Sequence, residues 1–463
     1  MSLLSSNANL YAMKFFLNEH TYLRHAEEET LLWNKRTYAC RILKNAQAFL
    51  HPIEQGERKT LDVIVAEVAH LFDLQPKDVM DDVRSFYEEL VSATFLNVDC
   101  NEKTSASTAS SMLRSDNSPY EKEEDEHDFP IGSFYERHAL PCSLHIDLTN
   151  ACTERCIHCY IADYRPRFLP LEVGDRVLRE FREAGGLTVM FSGGECMLHP
   201  QFREFIRYAR SLNLNFIVMS NLTRCDAEMV AFLAEVAPQF VNVSLYSMKA
   251  EEHDKITTIP GSWQKTMHAI LALEQAGVPV RLASPIMKVN RHALPGLREF
   301  AKAHRMHLIP DCDIFGQVDH DCSNQSCALS IAETECVWRE HHDLFYKEPG
   351  TPECCAPDAK VCDIGKNSIN LNAEGVYYPC DGCHGIELGN AYAQSFAEVW
   401  HGEKIEALRA LRNLDFGECA HCENRPWCKV CPTRNFNETA DMFTHAPARC
   451  LAAQLKRKIF SKV

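Results

Sequence analysis

Twenty-two of the 463 residues are cysteine, and no other feature constrains the fold of this chain as tightly. The amino terminus, MSLLSSNANLYAMKFF, lacks a charged segment followed by a long apolar core. No apolar run approaches the ~18 residues that a membrane span needs. The chain therefore reads as cytoplasmic, in a compartment that keeps thiols reduced. Metal ligation or redox chemistry is the better use for so many thiols, and their spacing decides which. Acidic residues number 64 against 48 basic ones, a net charge of −16. Such a surface repels phosphate backbones and argues against nucleic acid as a partner.

Composition divides the chain into blocks. In residues 1–96, which hold only Cys40, YLRHAEEETLLWN from Tyr22 to Asn34 predicts a short hairpin. Leu61, Ile64, Val65, Val68 and Leu71 fall at helical spacing, and Pro76 can start a second helix carrying Val79, Val83, Phe86 and Leu90. Residues 97–137 turn polar (TSASTASS, then EKEEDEHD), and such a stretch buries too little apolar surface to offset its chain entropy, so it reads as a linker. Over 138–345, six apolar runs (SLHIDLT, TVMFSGG, NFIVMSN, VNVSLYS, PVRLASP, HLIPDCD) alternate with helical stretches such as SWQKTMHAILALEQAG, which stops at Gly277. That alternation predicts an α/β fold whose parallel sheet is open or curled into a partial (β/α)6 TIM-like barrel. Chemistry in such folds gathers at the carboxyl ends of the strands. Over 346–463 periodicity fades and cysteines crowd, as in a segment that needs metal to fold.

Directly after the first strand, NACTERCIHCYI sets Cys152, Cys156 and Cys159 in one loop with spacing C-x3-C-x2-C. Three thiolates suit a soft metal, and on a four-iron cluster they leave one iron open. Structural zinc would need a fourth ligand, for which His158 is badly placed beside Cys159. CTERCIHCY resembles the cluster motif of the radical S-adenosylmethionine (SAM) superfamily, with His158 in the aromatic position. The resemblance implies a [4Fe-4S] cluster whose open iron chelates SAM and releases a 5′-deoxyadenosyl radical. At the next strand end, Gly193, Gly194 and Glu195 in FSGGEC match the motif that holds the SAM amino group. Asn221 and Ser244 end the following two strands and resemble family positions near the SAM ribose and carboxylate. Capping of a strand end is the plainer use for both. Cys196 reads as a buried structural thiol.

The carboxy-terminal cysteines are Cys354, Cys355, Cys362, Cys380, Cys383, Cys419, Cys422, Cys428, Cys431 and Cys450, with four residues between Gly375 and Cys380. Alone, C-x2-C-x5-C-x2-C from Cys419 to Cys431 is compatible with zinc. The longer pattern resembles the SPASM domain of radical SAM peptide maturases, although two residues separate Cys428 from Cys431 where the family usually has three. The resemblance implies two further [4Fe-4S] clusters, three in all. Cys362, Cys380 and Cys431 would serve an inner one, with Cys355 or Cys354 completing it, and Cys383 a further candidate. Cys419, Cys422, Cys428 and Cys450 would hold an outer one. If neither adjacent cysteine binds, the inner cluster keeps an open iron for a substrate thiolate.

The first block resembles, in pattern only, the winged-helix-like PqqD-type module that recognises leader peptides by adding them as a strand to a sheet edge. A helical packing domain is the plainer alternative. Taken together, the resemblances imply a maturase of a leader-bearing precursor peptide, thioether formation first. Carbon–carbon crosslinking, epimerisation or formylglycine-type oxidation would use the same core. They imply a reductant such as flavodoxin or ferredoxin as a second partner. A non-catalytic, zinc-rich protein-binding scaffold accounts for the tail but not for three cysteines and GGE at successive strand ends. Cys312, Cys322 and Cys327, beyond the sixth strand, could line a substrate channel but read as buried or spare thiols, and Asp311 and Asp313 as solvated loop acids.

Overall fold

In the computed structural model, which describes residues 13–54, 56–99, 130–346 and 348–461, the six apolar runs become six parallel strands. The chain divides into two compact units, Met1–Ala139 and Leu140–Val463.

In the first unit, strands β1 (Lys14–Leu17), β2 (Thr21–Ala26), β3 (Glu29–Asn34), β4 (Cys40–Lys44), β5 (Lys59–Thr60) and β6 (Leu96–Asp99) form two small antiparallel sheets, ordered β5-β1-β6 and β2-β3-β4. The expected hairpin is β2–β3, with Tyr22 opposite Trp33. Both expected helices are present, Leu61–Leu71 and Pro76–Ser92, the second opened by its proline. Their apolar faces bury Ile64, Val65, Val68, Val83 and Leu90 in one core with Phe15 and Leu32. Because β6 pairs with β1 along Leu17↔Leu96 to Lys14↔Asp99, the unit extends past residue 96. The helix Pro130–Arg137 also belongs to it: Arg137 and His138 both bond Glu29 of β3. The rest of the expected linker, residues 100–129, lies outside the described residues.

The second unit is built on one nine-stranded sheet, ordered β12-β11-β10-β9-β8-β7-β13-β14-β15. Strands β7 (Ser143–Asp147), β8 (Thr188–Ser192), β9 (Asn215–Ser220), β10 (Val241–Ser244), β11 (Val280–Pro285) and β12 (His307–Asp311) run parallel, each beside its predecessor. Helices such as Leu171–Glu183, Phe202–Ser211 and Ser262–Gln275 make the crossovers, as parallel pairing requires. This is the partial TIM-like barrel expected. On the far side of β7, β13 (Ser368–Leu371) continues the sheet in parallel from Ser143↔Ser368 to Ile146↔Leu371, and β14 (Val376–Tyr378) and β15 (Gly389–Asn390) follow antiparallel.

The cysteine-rich tail is therefore not folded by metal alone. Its first half shares the main core: Ile369, Tyr377, Phe396, Trp400 and Ile405 are buried in one cluster with Val189, Phe191 and Phe181. Arg176 donates to the carbonyl of Ala391, and Glu180 accepts from the Phe396 amide at 2.7 Å. Around Cys362 and Cys419 the apolar core shrinks to Val361, Phe416 and Val430, while Leu455, Ile459 and Phe460 of the last helix join Val337 and Trp338 in a separate cluster. Among the described residues no helix is long and apolar enough to cross a membrane.

Candidate active site

The loop carrying Cys152, Cys156 and Cys159 leaves the carboxyl end of β7 and is stitched to its surroundings by backbone bonds. The amides of Arg155 and Ile157 donate to the carbonyls of Thr257 and Ile256, each at 3.0 Å. The amides of Gly194 and Glu195, just past β8, donate to Thr149 and Ala151, each at 2.8 Å. That contact explains the paired glycines. A Cβ on Gly193 would sit 2.3 Å from the Thr149 carbonyl oxygen, and one on Gly194 2.3 Å from that of Ala151. Gly193 also has φ +131°, which side chains disfavour.

All three thiols are free and interact electrostatically with one another. Burial pushes each of them up, Cys152 to about 12, so three thiolates here call for a cation. Polar groups are turned toward the sulfurs. Asn221 Nδ2 donates to Cys152 Sγ at 3.7 Å, the Tyr246 hydroxyl lies 3.6 Å from Cys156 Sγ, and Tyr164 hydrogen-bonds Cys159. Glu154, between the first two cysteines, accepts from Cys156 Sγ at 3.5 Å while its other oxygen is buried without a partner. Burial raises its carboxyl to about 7. His158 is half-buried edge-on against Tyr246, with centroids 5.2 Å apart, and loss of solvent lowers it to about 4, so it is neutral. Among the described residues no three His, Cys, Asp or Glu side chains close around a single-ion position. Three soft thiol donors in one loop suit an iron–sulfur cluster.

The structure brings the other motif residues to this loop, but not all into the open. Glu195 is fully buried. Its carboxylate accepts from Ser220 Oγ (2.8 Å), the Asn221 amide (2.9 Å) and the Met197 amide (3.1 Å). Asn221 in turn binds Thr153 and Thr223 of the flanking loops through its side chain. Both residues fasten β8, β9 and the cysteine loop together. Gly193 and Gly194 instead line a cavity of about 180 Å³, with Asp147, Asn150, Asn372, Tyr378 and His384 on its other walls. Ser244 ends β10 and hydrogen-bonds Tyr246. Sequence reasoning missed Glu154, Tyr246 and Ser220, which no motif spacing marks. Asp147 was equally unmarked; it faces His145 at 3.3 Å and His384 at 3.8 Å.

The tail cysteines fall into two groups. Cys419, Cys422, Cys428 and Cys450 interact electrostatically with one another. Cys362, Cys380 and Cys431 form the second group, and Cys383 joins them. Cys355 does not. It ends the short helix Pro352–Cys355, lies 3.7 Å from the Gly350 carbonyl, and interacts with Arg425 and the exposed Cys354. Asp313, expected as a solvated acid, is bound by Arg434 and Arg449 of the tail.

The model of the radical SAM superfamily matches residues 146–301, and that of SPASM, an iron–sulfur cluster-binding domain, matches residues 362–432. The sporulation killing factor maturation protein SkfB of Bacillus subtilis is 30% identical over 283 residues, 58% of this chain and 67% of that protein. An AdoMet-dependent heme synthase of Oleidesulfovibrio alaskensis is 25% identical over 336 residues, 65% of this chain and 85% of its own. Among solved structures, SuiB of Streptococcus suis bound to S-adenosylmethionine superposes with a TM-score of 0.61 at 14% identity, covering 94% of this chain and 99% of its own.

Proposed function

We propose that this chain, which belongs to the radical SAM superfamily and carries a SPASM iron–sulfur domain, matures a precursor peptide by joining a cysteine sulfur to a carbon of another residue. Cys152, Cys156 and Cys159 would hold the SAM-binding cluster, beneath a cradle made by the backbone of Gly193 and Gly194. Glu195 and Asn221 would act on it from behind, holding the cradle and the loop in register, with Ser244 and His158 ordering the Tyr246 side. When bound, the reduced cluster and SAM supply a hydrogen-abstracting adenosyl radical. Forming the thioether takes a hydrogen atom from carbon, a proton from sulfur and one further electron. In the tail, Cys362, Cys380 and Cys431 would hold one further cluster and Cys419, Cys422, Cys428 and Cys450 another, which would supply a one-electron acceptor. A one-electron carrier such as flavodoxin or ferredoxin would reduce the SAM cluster.

The observation that carries a peptide substrate is the extent of the SuiB likeness. The second unit alone, Leu140–Val463, is too short to supply a coverage of 94%, so the first unit has a counterpart in SuiB as well. SuiB has also been solved bound to its precursor peptide SuiA. A leader would add to an edge of one of the first unit's small sheets, raising the local concentration of the segment to be modified. The heme synthase relatives favour a second reading, a tetrapyrrole substrate. Incubation with SAM, reductant and a leader-bearing cysteine peptide tests the choice: a mass loss of two hydrogens per crosslink is expected. Turnover of an iron porphyrin, with the peptide untouched, would overturn the peptide reading. Cys152→Ala is expected to abolish SAM cleavage while leaving the tail's iron in place; retained cleavage would overturn the assignment of the first cluster.

A further inference from the structure

In the tail, Cys380 and Cys383 share one tight turn, in which the Cys383 amide donates to the Cys380 carbonyl at 3.2 Å. Gly382 supplies the left-handed conformation at φ +73°, and its carbonyl is caught by Asn437 Nδ2 at 2.9 Å. Both Gly382 and Asn437 hold the turn against the helix Pro432–Thr439. That helix begins at Cys431, whose sulfur accepts the Arg434 amide at 3.4 Å. In its first turn Thr433, 1% exposed, donates to Cys380 Sγ at 3.4 Å and also hydrogen-bonds Cys383. Cys431 interacts electrostatically with Cys362, Cys380 and Cys383. Four thiols from three segments thus meet at one place, and Cys383 is the one with no exposed surface.

Cys354 and Cys355 lie elsewhere. Their short helix is tied to the turn at residues 425–427 through Gly350, whose amide donates to the Pro426 carbonyl at 2.7 Å. Asn413 Nδ2 holds the Cys354 carbonyl at 3.2 Å.

We propose that Cys383, not Cys354 or Cys355, is the fourth ligand of the inner tail cluster, so that every iron there is held by the chain and none is open to a substrate thiolate. This rests on the iron–sulfur reading of the tail given above. A closed cluster can take an electron only from a distance, and the substrate sulfur must then be positioned by the protein rather than by iron.

The test uses the full chain with Cys152, Cys156 and Cys159 all replaced by alanine, so that only the tail binds iron. Anaerobic reconstitution of this parent is expected to give about eight irons per chain. The reduced parent should show no hyperfine coupling to isotopically labelled cyanide in its electron paramagnetic resonance spectrum. Adding Cys383→Ala should either open one iron, giving a cyanide-coupled signal, or shed that cluster, taking iron to about four. Cys355→Ala and Cys354→Ala should keep about eight irons and stay silent to cyanide. A cyanide-coupled signal in the parent, or one that appears on replacing Cys355 or Cys354, would overturn the proposal, as would equal iron loss in all three variants. A parent that binds no iron would sink the cluster reading itself, and this assignment with it.

Discussion

At the scale of single residues, the site owes its shape to what the motif residues exclude as much as to what they hold. Gly193 and Gly194 let β8 approach the cysteine loop so closely that a methyl group has nowhere to go. Gly193→Ala or Gly194→Ala is therefore expected to cost about 1–3 kcal/mol and to deplete the proposed first cluster, leaving about eight of the proposed total of about twelve irons on reconstitution. Full iron content in both would show that the close approach is dispensable. A second prediction concerns His253, buried against Tyr246, whose Nδ1 accepts the Tyr246 amide at 3.4 Å while its Nε2 has no partner. Burial lowers it from 6.5 to about 4. The unfolded chain therefore takes up a proton first as pH falls. Its contribution is intact above about pH 6.5 and is lost progressively toward about pH 4. His253→Phe should flatten this part of the profile, so that its thermal midpoint falls less than that of the wild type on acidification; parallel profiles would refute the assignment. The glycines and the three cysteines were legible because their spacing is local. Glu154 and Ser220 were not, since a Glu in a polar loop or a Ser at a strand end looks ordinary until folding buries it.

At the scale of elements, the six parallel strands were readable from short apolar runs separated by helical ones, because each run and its crossover helix lie within a few tens of residues. The pairings that complete the architecture left no such trace. Strand β13 joins β7, and β6 joins β1, across long stretches of chain whose periodicity says nothing about their distant partners. This is also why the tail read as a segment without a core. Leu371, fully buried on β13, packs into the core of the whole second unit. Leu371→Ala is expected to destabilise that unit by about 2–5 kcal/mol, seen as a lowered thermal midpoint and weaker iron retention at all three proposed clusters. A loss confined to the tail would contradict a shared core.

At the scale of the whole molecule, the two units should respond separately. The first is closed by its own apolar core, whereas around Cys362 and Cys419 the described core of the second is small, built on Val361, Phe416 and Val430. Stripping iron with a chelator under anaerobic conditions is expected to raise amide hydrogen exchange around residues 411–431 while leaving the helices Leu61–Leu71 and Pro76–Ser92 protected as before. Exchange unchanged in the tail would mean that metal contributes little to its folding. Removing residues 1–139, the whole first unit rather than the block ending at 96, should preserve SAM cleavage but weaken binding of a leader-bearing peptide by at least about tenfold; undiminished affinity would discard the leader-binding reading. The boundary near 96 was drawn where composition turns polar, but composition does not register that β6 still pairs with β1.

The ladder between β7 and β13 has a practical consequence for anyone who would recombine such enzymes. Four successive residue pairs, Ser143↔Ser368 through Ile146↔Leu371, lock the strand that launches the loop carrying Cys152, Cys156 and Cys159 to the hairpin that leads into Cys380. The gap between the two proposed redox centres is thus gauged by strand register and not by the reach of a tether. A tail grafted from another enzyme would keep its electron-transfer rate only if that register were transplanted with it, whereas lengthening the connection ahead of β13 should leave the rate untouched.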